Sequence, residues 1–152
     1  MPRKFVVLLV CLGVLSSAGC AANRATANAS PDSEMGRAKS FYVVKRAEDA
    51  RGVDALIGDA LAKRGYVVKV GEPLPKAPAG TDAIVTYNDR WFWDITMYMV
   101  ELTITVRNPD NNFPMATGNS YHTSLTRLTP QEMVDEVLTN IFNAVQTIKG
   151  TK

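Results

Sequence analysis

Chemistry by a nucleophile and a base, or by a metal ion, needs several of His, Cys, Asp and Glu to meet in space. This chain holds one histidine, His122, and two cysteines, Cys11 and Cys20. No ligand-type residue sits at close spacing around His122, so it reads as a strand histidine, solvated or hydrogen-bonded, in preference to a zinc ligand or a general base. Asp89 and Asp94 flank a run of aromatics. A carboxylate pair for glycoside hydrolysis is conceivable there, but spacing alone does not set the separation such a pair requires. Gly-x-Ser-x-Gly, phosphate-binding and calcium-binding loops are missing from the sequence. The expectation is a protein that is not an enzyme, with no catalytic residue, no metal site and no cofactor.

The distinctive stretch suits contact better than catalysis. Residues 87–98 read Tyr-Asn-Asp-Arg-Trp-Phe-Trp-Asp-Ile-Thr-Met-Tyr and include both tryptophans of the chain, Trp91 and Trp93, with Phe92 between them. If the stretch is extended, its two-residue period puts Tyr87, Trp91 and Trp93 on one face and Phe92 on the other; if it turns between 90 and 94, the rings cap the end of a sheet. Two roles fit such rings. They seal the edge of a small core, or they offer a flat platform to a glycan or an anchor to a protein, since Trp, Tyr and Arg are over-represented at interfaces. Met97 and Met99 pose a similar choice, between packing under a loop and forming a soft apolar patch on a helix-free sheet face. The candidate partner or ligand surface is therefore Tyr87, Arg90, Trp91, Phe92, Trp93, Asp94, Met97 and Met99.

Strands and helices must position that surface. Residues 40–45 are a short β-prone run, and 48–64 follow with Val53, Leu56, Ile57, Ala60 and Leu61 on one helical face and Gly65 placed for a left-handed cap. Strand patterns return at 66–70 and 82–88, separated by a loop with Pro73, Pro75 and Pro78. In residues 95–107 alternation is clearest: Tyr98, Val100, Leu102, Ile104 and Val106 are expected to face the core, and Met97, Met99, Glu101, Thr103 and Thr105 the other side. A turn at 108–112 leads to a strand over 113–125. The last helix carries its own start signal, with Thr129 as N-cap, Pro130 first, Glu132 closing a capping box, and Leu128 with Met133 as a hydrophobic staple. Its stripe of Val134, Val137, Leu138, Ile141, Phe142, Val145 and Ile148 must pack on a sheet. The predicted fold is a single α+β domain over 40–150, a two-layer sandwich of a mixed or antiparallel sheet of about five strands with two helices packed on one face.

The two cysteines lie near the start of the chain, apart from these elements. Arg3 and Lys4 precede an apolar run at 5–15 that is too short to span a bilayer, which needs about 20 apolar residues. After it, Ser16-Ser17-Ala18-Gly19-Cys20 resembles the bacterial lipobox, with Ser17 where Leu is common. That resemblance implies a signal at 1–19, cleavage before Cys20, and transfer of a diacylglyceryl group to its thiol, with palmitate among the acyl chains carried. An ordinary secretory signal cut near 16–18 is the alternative. Cys11 would be lost with the signal, so a disulfide between the two cysteines is not expected. Residues 20–39 hold no large apolar residue except Met35 and are predicted to be a flexible tether, about 23 Å long on average. The signal takes two of the 17 basic residues and none of the 15 acidic ones, so the remaining chain is formally neutral and a nucleic-acid partner loses its support.

Trp91-Phe92-Trp93-Asp94, with residues 82–87 before it, Met97-Tyr98 after it, and Ala60-Leu61-Ala62-Lys63-Arg64-Gly65-Tyr66 upstream, resembles the signature of a group of short, uncharacterised bacterial lipoproteins. The likeness spans most of 41–145. It implies a small α/β periplasmic domain on a lipid anchor and carries no activity with it. Ala21 in place of Asp after the cysteine implies the outer membrane, facing the periplasm. The expected function is a non-enzymatic binding or scaffolding module for an envelope protein, with the membrane as a second partner through the acyl chains on Cys20. The alternative is a receptor for a small apolar or cell-wall glycan ligand that uses the Trp91–Trp93 segment.

Overall fold

A computed structural model describes residues 23–31 and 34–150; the segment read as a signal and Cys20 lie outside the described residues. The chain forms β1 (Asn23–Ala29), a short 3-10 turn (Glu34–Arg37), β2 (Ser40–Val44), α1 (Val53–Lys63), β3 (Val67–Gly71), β4 (Ala83–Asp94), β5 (Thr96–Arg107), β6 (Pro114–His122) and α2 (Pro130–Gly150). Strand order across the sheet is β1-β6-β5-β4-β2-β3. β2 runs parallel to β3 and β4, and every other pairing is antiparallel. The fold is thus α+β with two helices on a six-stranded, mixed, open sheet. Both helices lie on one face, where they touch each other and share one core with the sheet.

The sixth strand corrects the predicted tether. Asn23–Ala29 pairs along its length with β6, and Met35 of the 3-10 turn is buried. β1 needs no large side chain to do this. Its backbone completes the ladder on β6, while Ala27 and Ala29 fit beneath α2 and Thr26 and Asn28 take the opposite face. Counting large apolar residues overlooks a strand stabilised by backbone pairing and small side chains.

α1 starts five residues later than the spacing predicts. Gly52 takes φ 69, a left-handed conformation that interrupts the helix, and Asp49 instead accepts hydrogen bonds from the amides of Arg51 (2.9 Å) and Asp54 (3.1 Å). The far end is as expected: Gly65 has φ 88, its amide reaches Ala62 O, and the Tyr66 amide reaches Leu61 O. The start of α2 also matches its signal. The Thr129 amide donates to Glu132 Oε2 (2.8 Å) and the Glu132 amide donates to Thr129 Oγ1 (3.2 Å).

Close approach of helices to sheet depends on two glycines. A Cβ on Gly58 would stand 2.7 Å from Val70 Cγ2, and one on Gly118 would stand 2.8 Å from Ile141 Cγ1 and 2.9 Å from Val137 Cγ1. Gly118 lies mid-strand under the buried stripe of α2, where neither neighbour has room to retreat. Gly118→Val should lower the free energy of unfolding by about 1–3 kcal/mol, read as a shift of the urea midpoint.

Candidate functional site

β4 and β5 form a long hairpin whose outer end carries the predicted contact residues. The aromatic stretch is extended, so Tyr87, Asp89, Trp91 and Trp93 take the helix side and Arg90 and Phe92 the helix-free side. On β5 the alternation breaks. Arg90 pairs with Glu101 but Trp91 pairs with Met99, leaving Val100 as an extra residue. Beyond this bulge the predicted faces exchange: Met99 turns into the core, whereas Tyr98 and Val100 line the helix-free side.

The eight predicted surface residues therefore separate. Met99 is fully buried and Tyr87 nearly so, which corrects their assignment to a free surface. Tyr87 donates its hydroxyl proton to Asp49 Oδ2 (2.6 Å), fixing the loop before α1. Trp91 is half-buried against the core; its Nε1 donates to Asp89 Oδ2 (2.6 Å) and the Arg51 guanidinium lies 4.4 Å above its ring. Arg46 holds the other oxygen of Asp89 at 2.8 Å. Tyr87 is thus taken up in positioning the loop over the helix side, whereas Trp91, held by the same network, also borders the open groove beside Phe92.

Arg90, Phe92, Trp93, Asp94 and Met97 remain at the surface. Arg90 pairs with Glu101 at 3.0 Å, and Phe92 meets Tyr98 edge to face at 6.2 Å. Arg127 lies 4.7 Å above the Tyr98 ring and donates to Thr96 Oγ1 (2.8 Å), which ties the loop after β6 to the hairpin. Trp91 with its neighbours Arg90 and Phe92, Tyr98 and Val100 of β5, and Tyr121, Thr123 and Ser124 bound an open groove of about 340 Å³. Beside it a polar ladder continues along the same face, where Asn119 Nδ2 donates to Glu101 Oε1 (3.0 Å) and Thr103 Oγ1 (2.9 Å). At the tip, Trp93 (66% exposed), Ile95 (86%) and Met97 (47%) stand in the open, and Ile95 has φ 58. A β-branched residue in that left-handed region is strained by about 1–3 kcal/mol.

The groups considered for catalysis do not converge. Five residues along an extended strand separate Asp89 from Asp94, about 16 Å, and place them on opposite faces, well beyond the carboxylate spacing of glycosidases. His122 is buried on the helix side, where its Nε2 lies 2.9 Å from Glu136 Oε2, and the Ser120 hydroxyl donates to that same oxygen at 2.5 Å. Serine and histidine both lean on one carboxylate, an arrangement that lacks the serine-to-imidazole bond of a nucleophile and its base. The sequence signal for this cluster was present but unused: polar residues two apart on the core side of β6, and a carboxylate beside Met133 and Val137 on the buried stripe of α2. Among the described residues, no three of His, Cys, Asp and Glu are placed to hold a metal ion. No helix among them is long and apolar enough to cross a membrane.

No protein-family model matches the chain, nor does any curated protein. Solved structures do resemble it. A PelC dodecamer from Paraburkholderia phytofirmans is 13% identical, with 79% of this chain and 97% of that one aligned at a TM-score of 0.54, and a variant of the same PelC aligns over the same shares at 12% identity and a TM-score of 0.57. At such identities the likeness is one of fold. A minor lipoprotein from Acinetobacter baumannii aligns over 73% of this chain and 88% of its own at 12% identity, with a TM-score of only 0.30.

Three carboxylates make the domain sensitive to acid. Burial pushes Asp49 up, but the Tyr87 hydroxyl and the amides of Arg51, Asp54 and Val53 outweigh it and hold the group below its ordinary 3.8. The Lys39 amide, the Ser40 hydroxyl and the Ser40 amide do the same for Asp82, and the Thr129 amide and hydroxyl for Glu132. A carboxylate lowered in the folded state contributes stability that is complete above its unfolded value and is lost as pH falls through the folded one. Unfolding free energy should therefore decline from about pH 4 downward, and Asp49→Asn should flatten that decline while lowering stability at neutral pH, both read by urea titration at several pH values. Ile95→Asn, which suits φ 58 and touches no core group, should raise the unfolding free energy by about 1 kcal/mol in the same assay.

Proposed function

We propose that this chain is an exported lipoprotein, processed before Cys20, held by acyl chains at the periplasmic face of the outer membrane, and that its domain is a non-enzymatic binding or scaffolding module for an envelope protein. The groove at the hairpin end of the helix-free face is the observation that carries this reading. Its walls are aromatic rings and an arginine, the side chains that most often anchor protein partners. They are also held in place before any partner arrives: Phe92 against Tyr98, Tyr98 beneath Arg127, Arg90 on Glu101. Side chains ordered in advance lose less entropy on binding. The ladder of Asn119, Glu101 and Thr103 extends the same prearranged surface beyond the groove.

A glycan of the cell wall is the second reading. The mixture of ring faces with the hydroxyls of Tyr121 and Ser124 suits a sugar, which presents an apolar face and polar edges.

A photoreactive amino acid in place of Tyr121 tests the proposal in intact cells. A discrete cross-linked protein species is expected, and Arg90→Glu or Phe92→Ser should abolish it with the domain still folded by circular dichroism. Mass spectrometry identifies the partner; a product at twice the chain's own mass would mean self-association, in keeping with the dodecamer described for PelC. Cross-linking that is absent, or indifferent to both substitutions, would overturn the protein-partner reading. Quenching of Trp fluorescence by purified cell-wall fragments would then favour the glycan.

A further inference from the structure

The sheet register brings the hairpin tip and the chain leading from Cys20 to the same end of the domain. Arg24, Tyr121, Glu101 and Arg90 stand in one row across β1, β6, β5 and β4. From that row the hairpin runs on for four residues to Asp94, about 13 Å at the rise of a strand. β1 leads toward that same end as it is followed back to Asn23, and Cys20, four residues before Arg24, lies within about 14 Å of the row by chain length alone. Three strand spacings separate β1 from β4, about 14 Å. An acyl group on Cys20 and the side chain of Ile95 can therefore meet one plane, and the ordering of β1 leaves Cys20 too short a leash for the domain to stand off from it.

That end of the molecule is apolar where it projects furthest. Trp93, Ile95 and Met97 occupy the tip, and Leu125, 81% exposed, lies in the loop that Arg127 ties to Thr96. Resting on the reading of Cys20 as acylated, we infer that the hairpin tip enters the lipid surface, with Trp93, Ile95, Met97 and Leu125 at the boundary between headgroups and acyl chains. A tryptophan among aliphatic side chains, with Arg24, Arg90 and Arg127 set behind it at headgroup level, is the composition of interfacial anchors. Arg90 and Arg127 keep their carboxylate neighbours Glu101 and Asp94, so the arginines do not depend on anionic lipid for a partner. The strain at Ile95 gains a reason: water offers nothing in return for holding a β-branched apolar residue at the outermost position, whereas a bilayer does. Two contacts, acyl chain and tip, orient the domain with its strands rising from the membrane and the Tyr98–Tyr121 groove close above the headgroups.

Trp91→Phe in the full-length chain leaves Trp93 as the reporter. The acylated protein, purified from membranes, is reconstituted into vesicles of phosphatidylethanolamine and phosphatidylglycerol, with and without lipids brominated near the headgroup end of the acyl chain. The expected result is a blue-shifted Trp93 emission, strong quenching by the brominated lipid, and loss of acrylamide access; Ile95→Ser with Met97→Ser should reverse all three without releasing the anchored protein. Mass spectrometry of Cys20 and flotation of the vesicles read the anchor separately. An acylated, floating protein whose Trp93 emits as in water would overturn the tip's role alone and leave the tip facing the periplasm. An unmodified Cys20 would overturn the anchor and this inference together.

Discussion

A single extra residue in β5 governs what the outer half of the long hairpin can do. With strict alternation, the pairing of Arg90 with Glu101 would continue to Trp91 with Val100 and Phe92 with Met99. Val100 would then face the helices and Met99 the open side. The bulge at Val100 exchanges these faces, so Met99 enters the core as the cross-strand neighbour of Trp91 and Tyr98 meets Phe92 on the other face. A flexible, fully buried thioether sits beside the tryptophan in the core, and a ring that would otherwise face the helices becomes the wall of a groove.

The helix side of the same hairpin is closed by polar contacts that satisfy one another. Asp49 caps the amides leading into α1 and takes the Tyr87 hydroxyl, while Asp89 receives Arg46 and the Trp91 indole, and Arg51 covers that ring. Each buried polar atom here has a partner, which is the condition for placing it in low dielectric at little cost. Further along the same face, Glu136 takes the Ser120 hydroxyl and the Nε2 side of His122, while His122 Nδ1 stays buried without a protein partner. Both clusters fasten helices and loops to the sheet, and leave the helix-free face as the side with prearranged but unoccupied polar and aromatic groups.

Edges also matter. β1 and β3 bound the open sheet, and β1 is the strand that continues into the segment bearing Cys20. Its exposed side presents Arg24, Thr26 and Asn28, polar residues that discourage pairing with a further strand. A lipid-anchored reading and an ordered β1 are linked mechanically, because pairing on β6 turns what composition describes as a tether into a mount of defined direction.

Much of this was legible in the amino-acid order. The α2 capping box and stripe, the Gly65 cap and the strand-helix-strand opening follow from local rules, since capping and side-chain period depend on residues within a turn or two of one another; for the Trp91–Trp93 stretch those rules allowed either an extended strand or a turn. Four features were decided only by the tertiary structure. Asn23–Ala29 is a strand because β6 offers it a backbone ladder and α2 a shallow surface that alanine fits, neither of which its own composition contains. The extra residue at Val100 puts Met99 in the core beside Trp91 and Tyr98 against Phe92, an exchange of faces that strict alternation along β5 does not contain. Ser120, His122 and Glu136 meet because a strand and a helix cross. The hairpin tip shares an end with the path toward Cys20 because four strands pair in one register. Period and composition act along the chain, whereas register and packing act across it, and the placement of the candidate site belongs to the second kind.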